Sequence, residues 1–349
     1  MTLKHQLLFA IAGVLSLQAI AQTYPPVDQV AADFRRMIDR PKVDFNASFQ
    51  ITKTDSVIIE RGYIYSEKDE KVPILIYKPV SAQAKFPAVI FLHGTGGKKD
   101  EAGIKNILMQ LSKRGIIGVA IDARFHGARI PGGAHSSSEY VAAVTKAWQN
   151  TDPAHQTHPF FWDTVYDLWR LTDYLVTRPD IDASRLGMGG ISMGGIETWM
   201  AASVDKRIKV AVLDISAQSF KWSLESDRWQ GRAHTIQDAH VQAAKDIGDS
   251  VLNKRNVKAL WDKLIPGITG EFDCPSMIRL FSPRPLLVLS TEKDNNCPLP
   301  GAKIAFASAQ AAYGTANADK LKMDIAPNLP HKTTPEHLKM TLDWFAKWL

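Results

Sequence analysis

From Phe86 to the C-terminus, short uninterrupted apolar runs alternate with segments of helical period, and this alternation restricts the chain to one broad architecture. Phe86–Leu92, Ile116–Ile121, Leu186–Ile191, Val210–Asp214, Pro285–Ser290 and Leu321–Ile325 read as strands. Val89 to Leu92 is apolar without a break, as in a strand covered on both faces. Between the strands, Ile104, Ile107, Leu108 and Leu111 share one helix face, with Gly115 as the stop. Phe161–Val176, Gly194–Ala202 and Gly301–Tyr313 are further predicted helices. The last helix opens with Thr334 as N-cap and Pro335 in its first turn, and carries Leu338, Leu342, Phe345 and Leu349 as a core stripe. Strands joined by helices form a mainly parallel sheet, because a parallel pair needs a long crossover. The start differs. Residues 22–50 read as an arm, and Ser56–Tyr65 and Val72–Lys78 as a hairpin about the Glu67–Lys71 charge cluster. The expected fold is α/β: a mainly parallel central sheet with helices on both faces and an antiparallel start. Residues 22–349 read as one domain, with a helical insertion at about 216–283.

The strongest chemical motif is Gly190-Ile191-Ser192-Met193-Gly194, between a buried strand and a helix. A serine hydroxyl attacks well only when it is presented sharply beside a base. Flanking glycines permit the tight strand-to-helix turn, and the helix N-terminus adds positive potential where an oxyanion would form. Ser192 is therefore the candidate nucleophile. His93-Gly94-Thr95-Gly96-Gly97 follows the strand Phe86–Leu92. Acyl transfer needs two N–H donors aimed at the developing oxyanion, and the Thr95 and Met193 amides are the candidates. The acid belongs after a later strand, where Asp294 stands in Ser290-Thr291-Glu292-Lys293-Asp294; Glu292 and Asp214 compete. The base belongs after the last strand, where His331 is preferred to His337 at the start of the final helix. The order Ser192, Asp294, His331 differs from that of chymotrypsin or subtilisin.

Other residues carry weaker signals. His126, in Asp122-Ala123-Arg124-Phe125-His126-Gly127, is a candidate pocket residue, and Asp122 and Arg124 read as a structural pair. Phe220, Trp222, Trp229 and Trp261 are candidate pocket aromatics, with Trp222 preferred and core packing as the alternative. His155 and His158, near Asp152 and Asp163, have no familiar zinc spacing, so no metal or other cofactor is expected. Cys274 and Cys297 either pair, pinning the Asp294 loop, or remain two buried thiols.

The first residues resemble an export signal: Lys4 and His5, an apolar stretch from Leu7 to Ile20, and Ala19-Ile20-Ala21 as a cleavage site. Residues 1–21 are the predicted signal peptide, which places the mature chain in the periplasm or outside the cell without stable membrane insertion. The net charge of +6 comes from scattered Lys and Arg. No basic stripe carries interleaved aromatics, so nucleic acid is not an expected partner.

Taken together, the His93 loop, Asp122–Gly127, Arg178–Asp182 leading into Gly190–Gly195, Ala211–Trp229, Pro283–Leu286, Asp294–Pro298 and His331–Glu336 resemble the dienelactone-hydrolase and acetyl-xylan-esterase branch of the α/β-hydrolases, with its prolyl-oligopeptidase-like relatives. The resemblance runs from about Val72 to Leu349. It implies the α/β-hydrolase fold and a Ser–Asp–His hydrolase with no metal or cofactor. Dienelactone hydrolases proper carry a cysteine where Ser192 stands, and no propeller domain fits before the first strand. The expected activity is cleavage of carboxylic esters through an acyl-enzyme, on a small-molecule or oligosaccharide substrate such as acetylated or feruloylated carbohydrate. A small peptidase or amidase with the same residues, and a non-catalytic binding protein, are the alternatives.

Overall fold

The computed structural model describes residues 24–349, so the predicted signal lies outside the described residues. The strands are β1 (Ser48–Lys53), β2 (Val57–Glu67), β3 (Glu70–Pro79), β4 (Phe86–Leu92), β5 (Ile117–Ile121), β6 (Ile181–Ile191), β7 (Ile208–Asp214), β8 (Leu286–Thr291) and β9 (Leu321–Ala326). The helices are α1 (Val27–Ile38), α2 (Ala102–Ser112), α3 (Ser138–Gln149), α4 (Trp162–Leu175), α5 (Met193–Val204), α6 (Phe220–Glu225), α7 (Gln230–His234), α8 (Gln237–Asp246), α9 (Lys254–Leu264), α10 (Cys274–Ile278), α11 (Leu299–Tyr313) and α12 (Pro335–Trp348). The described residues form one sheet of nine strands in the order β1-β2-β3-β5-β4-β6-β7-β8-β9. β1, β2, β3 and β5 pair antiparallel, and β5-β4-β6-β7-β8-β9 pair parallel.

The central strands bury both faces, which is why their sequences are continuous apolar runs. Along β4, Val89 and Phe91 join one core with Ile104, Leu108, Leu342 and Phe345, beneath α2 and α12. Ala88, Ile90 and Leu92 point the other way, into the larger core with Leu168, Ile196 and Ala305 of α4, α5 and α11. The same alternation holds in β7, with Val210 and Val212 opposed to Ala211 and Leu213. Parallel pairing brings the carboxyl ends of β4, β6, β7, β8 and β9 to one edge, where loops of an open α/β sheet bind ligands.

Two expectations are corrected. The stretch read as an arm contains a helix and a strand. Val30, Phe34 and Ile38 recur every four residues and are buried, with Phe34 set edge-on against Trp162, Trp169 and Phe272. β1 forms the sheet edge beyond β2. Asp122 and Arg124 do not pair with each other. Asp122 accepts from the Lys99 ammonium at 2.6 Å and from the Lys99 and Ala128 backbone N–H groups. Arg124 instead grips Asp167 through Nε and Nη2, at 2.8 and 2.9 Å. Over residues 216–283 the chain forms α6 to α10, short helices beside the strand ends.

Asp167 is the hub of a buried ion network. Arg124 and Arg129 both bind it, and both also reach Glu70. Burial opposes its ionisation, but the two guanidinium groups outweigh burial and hold the carboxyl well below the ordinary range. Asp167→Asn would leave two largely buried cations short of a partner. It should lower unfolding free energy by about 3–5 kcal/mol in a urea titration at neutral pH. Because the folded carboxyl titrates low, the deficit should persist on acidification until the pH passes below the ordinary aspartate value of about 3.9.

Candidate active site

Ser192 stands on the turn between β6 and α5 with φ +53° and ψ −113°. This is a costly conformation for a residue with a side chain, and it holds only where neighbours enforce it. A Cβ on Gly194 would lie 2.5 Å from the Leu92 Cβ and 2.6 Å from the His93 carbonyl oxygen; one on Gly190 would lie 2.4 Å from the Gly194 carbonyl carbon. Glycine at both positions is therefore a steric requirement of the turn. The Ser192 N–H donates to the Asp214 carbonyl at 2.9 Å, tying the turn to the end of β7.

The three residues predicted to act together meet at the carboxyl edge of the sheet. Asp294 follows β8 and His331 follows β9. Ser192 Oγ–H donates to His331 Nε2 at 2.8 Å, and His331 Nδ1–H donates to Asp294 Oδ2 at 2.7 Å. The other carboxylate oxygen, Oδ1, accepts from the Asn296 and Cys297 amides, each at 2.8 Å. Asp294 is thereby fully engaged and only 4% exposed. The competitors are employed elsewhere. Glu292 accepts from the Asn328 amide at 2.7 Å. Asp214 and His337 face each other across 3.4 Å.

The loop after β4 lies against this turn. A Cβ on Gly94 would be 3.7 Å from the Ser192 Cβ. The His93 ring anchors the loop, with Nδ1–H on the Gly94 carbonyl at 2.8 Å and Nε2 accepting from the Ala123 amide at 3.2 Å. Burial lowers its pKa, so the ring stays neutral and keeps that donor–acceptor arrangement. Met193 opens α5, and neither its N–H nor that of Thr95 has a protein acceptor among the described residues. His126 lies beneath the loop, fully buried between His93 and Tyr140 at ring distances of 5.2 and 4.8 Å, and not on a pocket wall. Burial pushes its pKa down to about 3, and the neutral ring serves packing. Phe220 and Trp261 are core residues, edge-on to each other at 5.1 Å. Trp222 is half-buried and, with Trp229, Arg228 and Asn295, lines an open cleft of about 820 Å³ along the Asp294 loop.

The acetyl xylan esterase (AXE1) family model matches residues 14–219, more than half of the chain. The chain belongs to the acetyl xylan esterase family. YtaP of Bacillus subtilis (strain 168), named as a hydrolase, is 24% identical over 316 residues, covering 86% of this chain and 92% of YtaP. Acetyl xylan esterase 1 from Thermoanaerobacterium sp. JW/SL YS485 superimposes with a TM-score of 0.67 at 17% identity, over 92% of this chain and 93% of that one. The acetyl xylan esterase from Paenibacillus sp. R4 does so with a TM-score of 0.62 at 18% identity, over 93% of each chain. The fold is that of the α/β-hydrolases, and family membership makes the protein a carboxylic ester hydrolase of the serine-hydrolase type. The segment matched to the family includes Thr95 and Ser192 and ends before Asp294 and His331.

In this member of the acetyl xylan esterase family, one residue that supports the Asp294 loop gave no signal in the sequence. Arg232 is 1% exposed, and its Nη2 donates to Cys297 Sγ at 2.8 Å. With the Gln218 amide turned to satisfy its neighbours, Gln218 accepts from Arg232 Nε at 3.1 Å and donates to the Asn296 carbonyl at 2.7 Å. Asp294, Cys297 and His331 have ligand atoms within 4.8 Å of one another, but the Arg232 cation beside the sulfur opposes a metal ion there. The two cysteines are not bonded, which is the second of the two alternatives, a pair of buried thiols. Burial pushes the Cys297 thiol up to about 12 and the Cys274 thiol well above its ordinary value. Both thiols should be inert to an aromatic disulfide reagent in native protein at pH 8. Unreduced protein unfolded in guanidinium should release two thiols per chain; none would restore the disulfide.

Proposed function

We propose that the protein is an exported esterase that cleaves carboxylic esters through an acyl-enzyme, with Ser192 as nucleophile, His331 as base and Asp294 as acid. The observation that carries this reading is the unbroken hydrogen-bonded chain from Ser192 Oγ through both His331 nitrogens to Asp294. Ser192 Oγ forms a bond to the ester carbonyl carbon as His331 Nε2 takes its proton. The negative oxygen of the tetrahedral intermediate accepts from the Thr95 and Met193 amides, each donor of this kind being worth about 2.7–4 kcal/mol. Collapse breaks the bond to the alcohol oxygen, which leaves with the proton from His331. Water then gives its proton to His331 and adds to the acyl carbon. The second collapse frees the acid and returns the proton to Ser192. Asp294 orients the ring and stabilises the imidazolium formed in both halves.

The substrate class we assign is an acetylated or feruloylated carbohydrate, supported by membership of the acetyl xylan esterase family. Names of solved relatives point the same way, among them two acetyl xylan esterases. The export signal at residues 1–21 accords with a substrate met outside the cytoplasm.

Wild type should hydrolyse p-nitrophenyl acetate and release acetate from acetylated xylan, while aminoacyl anilides should be inert. Folded Ser192→Ala should lose at least about a thousandfold in kcat. A folded Ser192→Ala with wild-type activity would overturn the nucleophile, and anilide cleavage would favour a peptidase. The base must be neutral to act, so kcat/KM should decline on acidification; a flat profile from about pH 5 to 8 would contradict histidine general-base catalysis.

A further inference from the structure

Asp214 and His337, the rivals of Asp294 and His331 on sequence, stand together beside the site. Asp214 ends β7, and His337 lies in the first turn of α12. Both are buried. His337 Nδ1 is 3.4 Å from Asp214 Oδ1, and Nε2 is 3.4 Å from Asp324 Oδ2 on β9. At that separation they interact as charges rather than through directed hydrogen bonds. Asp214 is bound on two further sides. Its Oδ2 accepts from Thr333 Oγ1–H at 2.7 Å, and its carbonyl oxygen accepts from the Ser192 N–H at 2.9 Å. One residue therefore holds the Ser192 turn through its main chain and the His331 loop through its side chain.

The loop needs such holding. His331 lies between β9 and α12, and its side chain is 20% exposed. Before it, the Pro330 carbonyl accepts from Thr291 Oγ1–H at 2.8 Å; after it comes the Thr333 contact. A buried carboxylate at Asp214 is costly unless it is paired, and His337 supplies the counter-charge. Burial disfavours the imidazolium, but Asp214 and Asp324 outweigh it and raise the His337 pKa.

We propose that Asp214, Thr333 and His337 form a brace that positions His331 against Ser192, and that they are positioning residues that touch no substrate. The inference rests on the roles proposed above for Ser192 and His331.

The test compares full-length wild type, Ser192→Ala, Thr333→Val and Thr333→Ser on p-nitrophenyl acetate, with near-ultraviolet circular dichroism as the check of folding. Thr333→Val keeps the shape and removes the donor. It should lose about ten- to a hundredfold in kcat with KM little changed, the scale of a small misplacement of a catalytic group. Thr333→Ser should restore most of that loss. Wild-type kcat in folded Thr333→Val, with Ser192→Ala inactive, overturns the brace and leaves the nucleophile standing. Equal losses in the Val and Ser variants also overturn it, because the hydroxyl would then not matter. Full activity in Ser192→Ala instead sinks the reading of the site, and the brace with it. Should Thr333→Val not fold, His337→Gln decides. It leaves the Asp214 charge uncompensated near the loop, so kcat should fall and the acid limb of kcat/KM should move to higher pH. An unchanged kcat and an unmoved limb overturn the proposal.

Discussion

The turn at Ser192 is held in a conformation it would not adopt alone. Its φ of +53° persists because the chain is wedged on every side. Leu92 and His93 close on Gly194, Ser216 closes on Gly195, and the Asp214 carbonyl takes the Ser192 amide. Each contact comes from the end of a neighbouring strand. The register that places β4 and β7 on either side of β6 is therefore what makes a reactive serine possible here. Local sequence supplies the permission, through the glycines. The sheet supplies the force.

Polar chemistry beneath this edge is buried and closely matched. The Arg284 guanidinium, which has no carboxylate partner among the described residues, donates to the carbonyls of Ala202, Asp205 and Ile208 through Nη1 and to Ser203 through Nη2. It lies over the Phe281 ring at 3.8 Å and gathers the C-terminal end of α5, the helix that carries Met193. Burial lowers its pKa to about 10, which still leaves it charged at neutral pH. Glu197, on the same helix, is driven by burial well above the ordinary carboxyl range. The helix behind the nucleophile is thus fixed at its far end by the Arg284 cation.

Much of this was legible because its causes are local. Continuous apolar runs marked the buried strands, and Thr334 and Pro335 marked the start of α12, where the Thr334 hydroxyl does accept from the His337 amide. The glycine-flanked serine and the positions of Asp294 and His331 after late strands located the residues that now lie within hydrogen-bond reach. The misses have long-range causes. The four-residue period of Val30, Phe34 and Ile38 was present, yet it becomes a helix face only against Trp162 and Phe272. Arg232 and Cys297 are 65 residues apart, and no spacing rule joins them. His126 beside a strand end looked like a pocket residue, and only the packing of Tyr140 from α3 shows it to be covered.

The seat of α1 has a consequence for how the molecule is made. Phe34 is cradled by side chains from α4 and from Phe272, so the first helix among the described residues closes against segments far downstream in sequence. Contacts of such sequence separation form slowly, because a long loop must close before they contribute. During synthesis, Val30, Phe34 and Ile38 therefore present an open apolar face with no partner yet in existence. That face stays uncovered until Trp162, Trp169 and then Phe272 have been made, and exposed apolar surface of this kind favours aggregation.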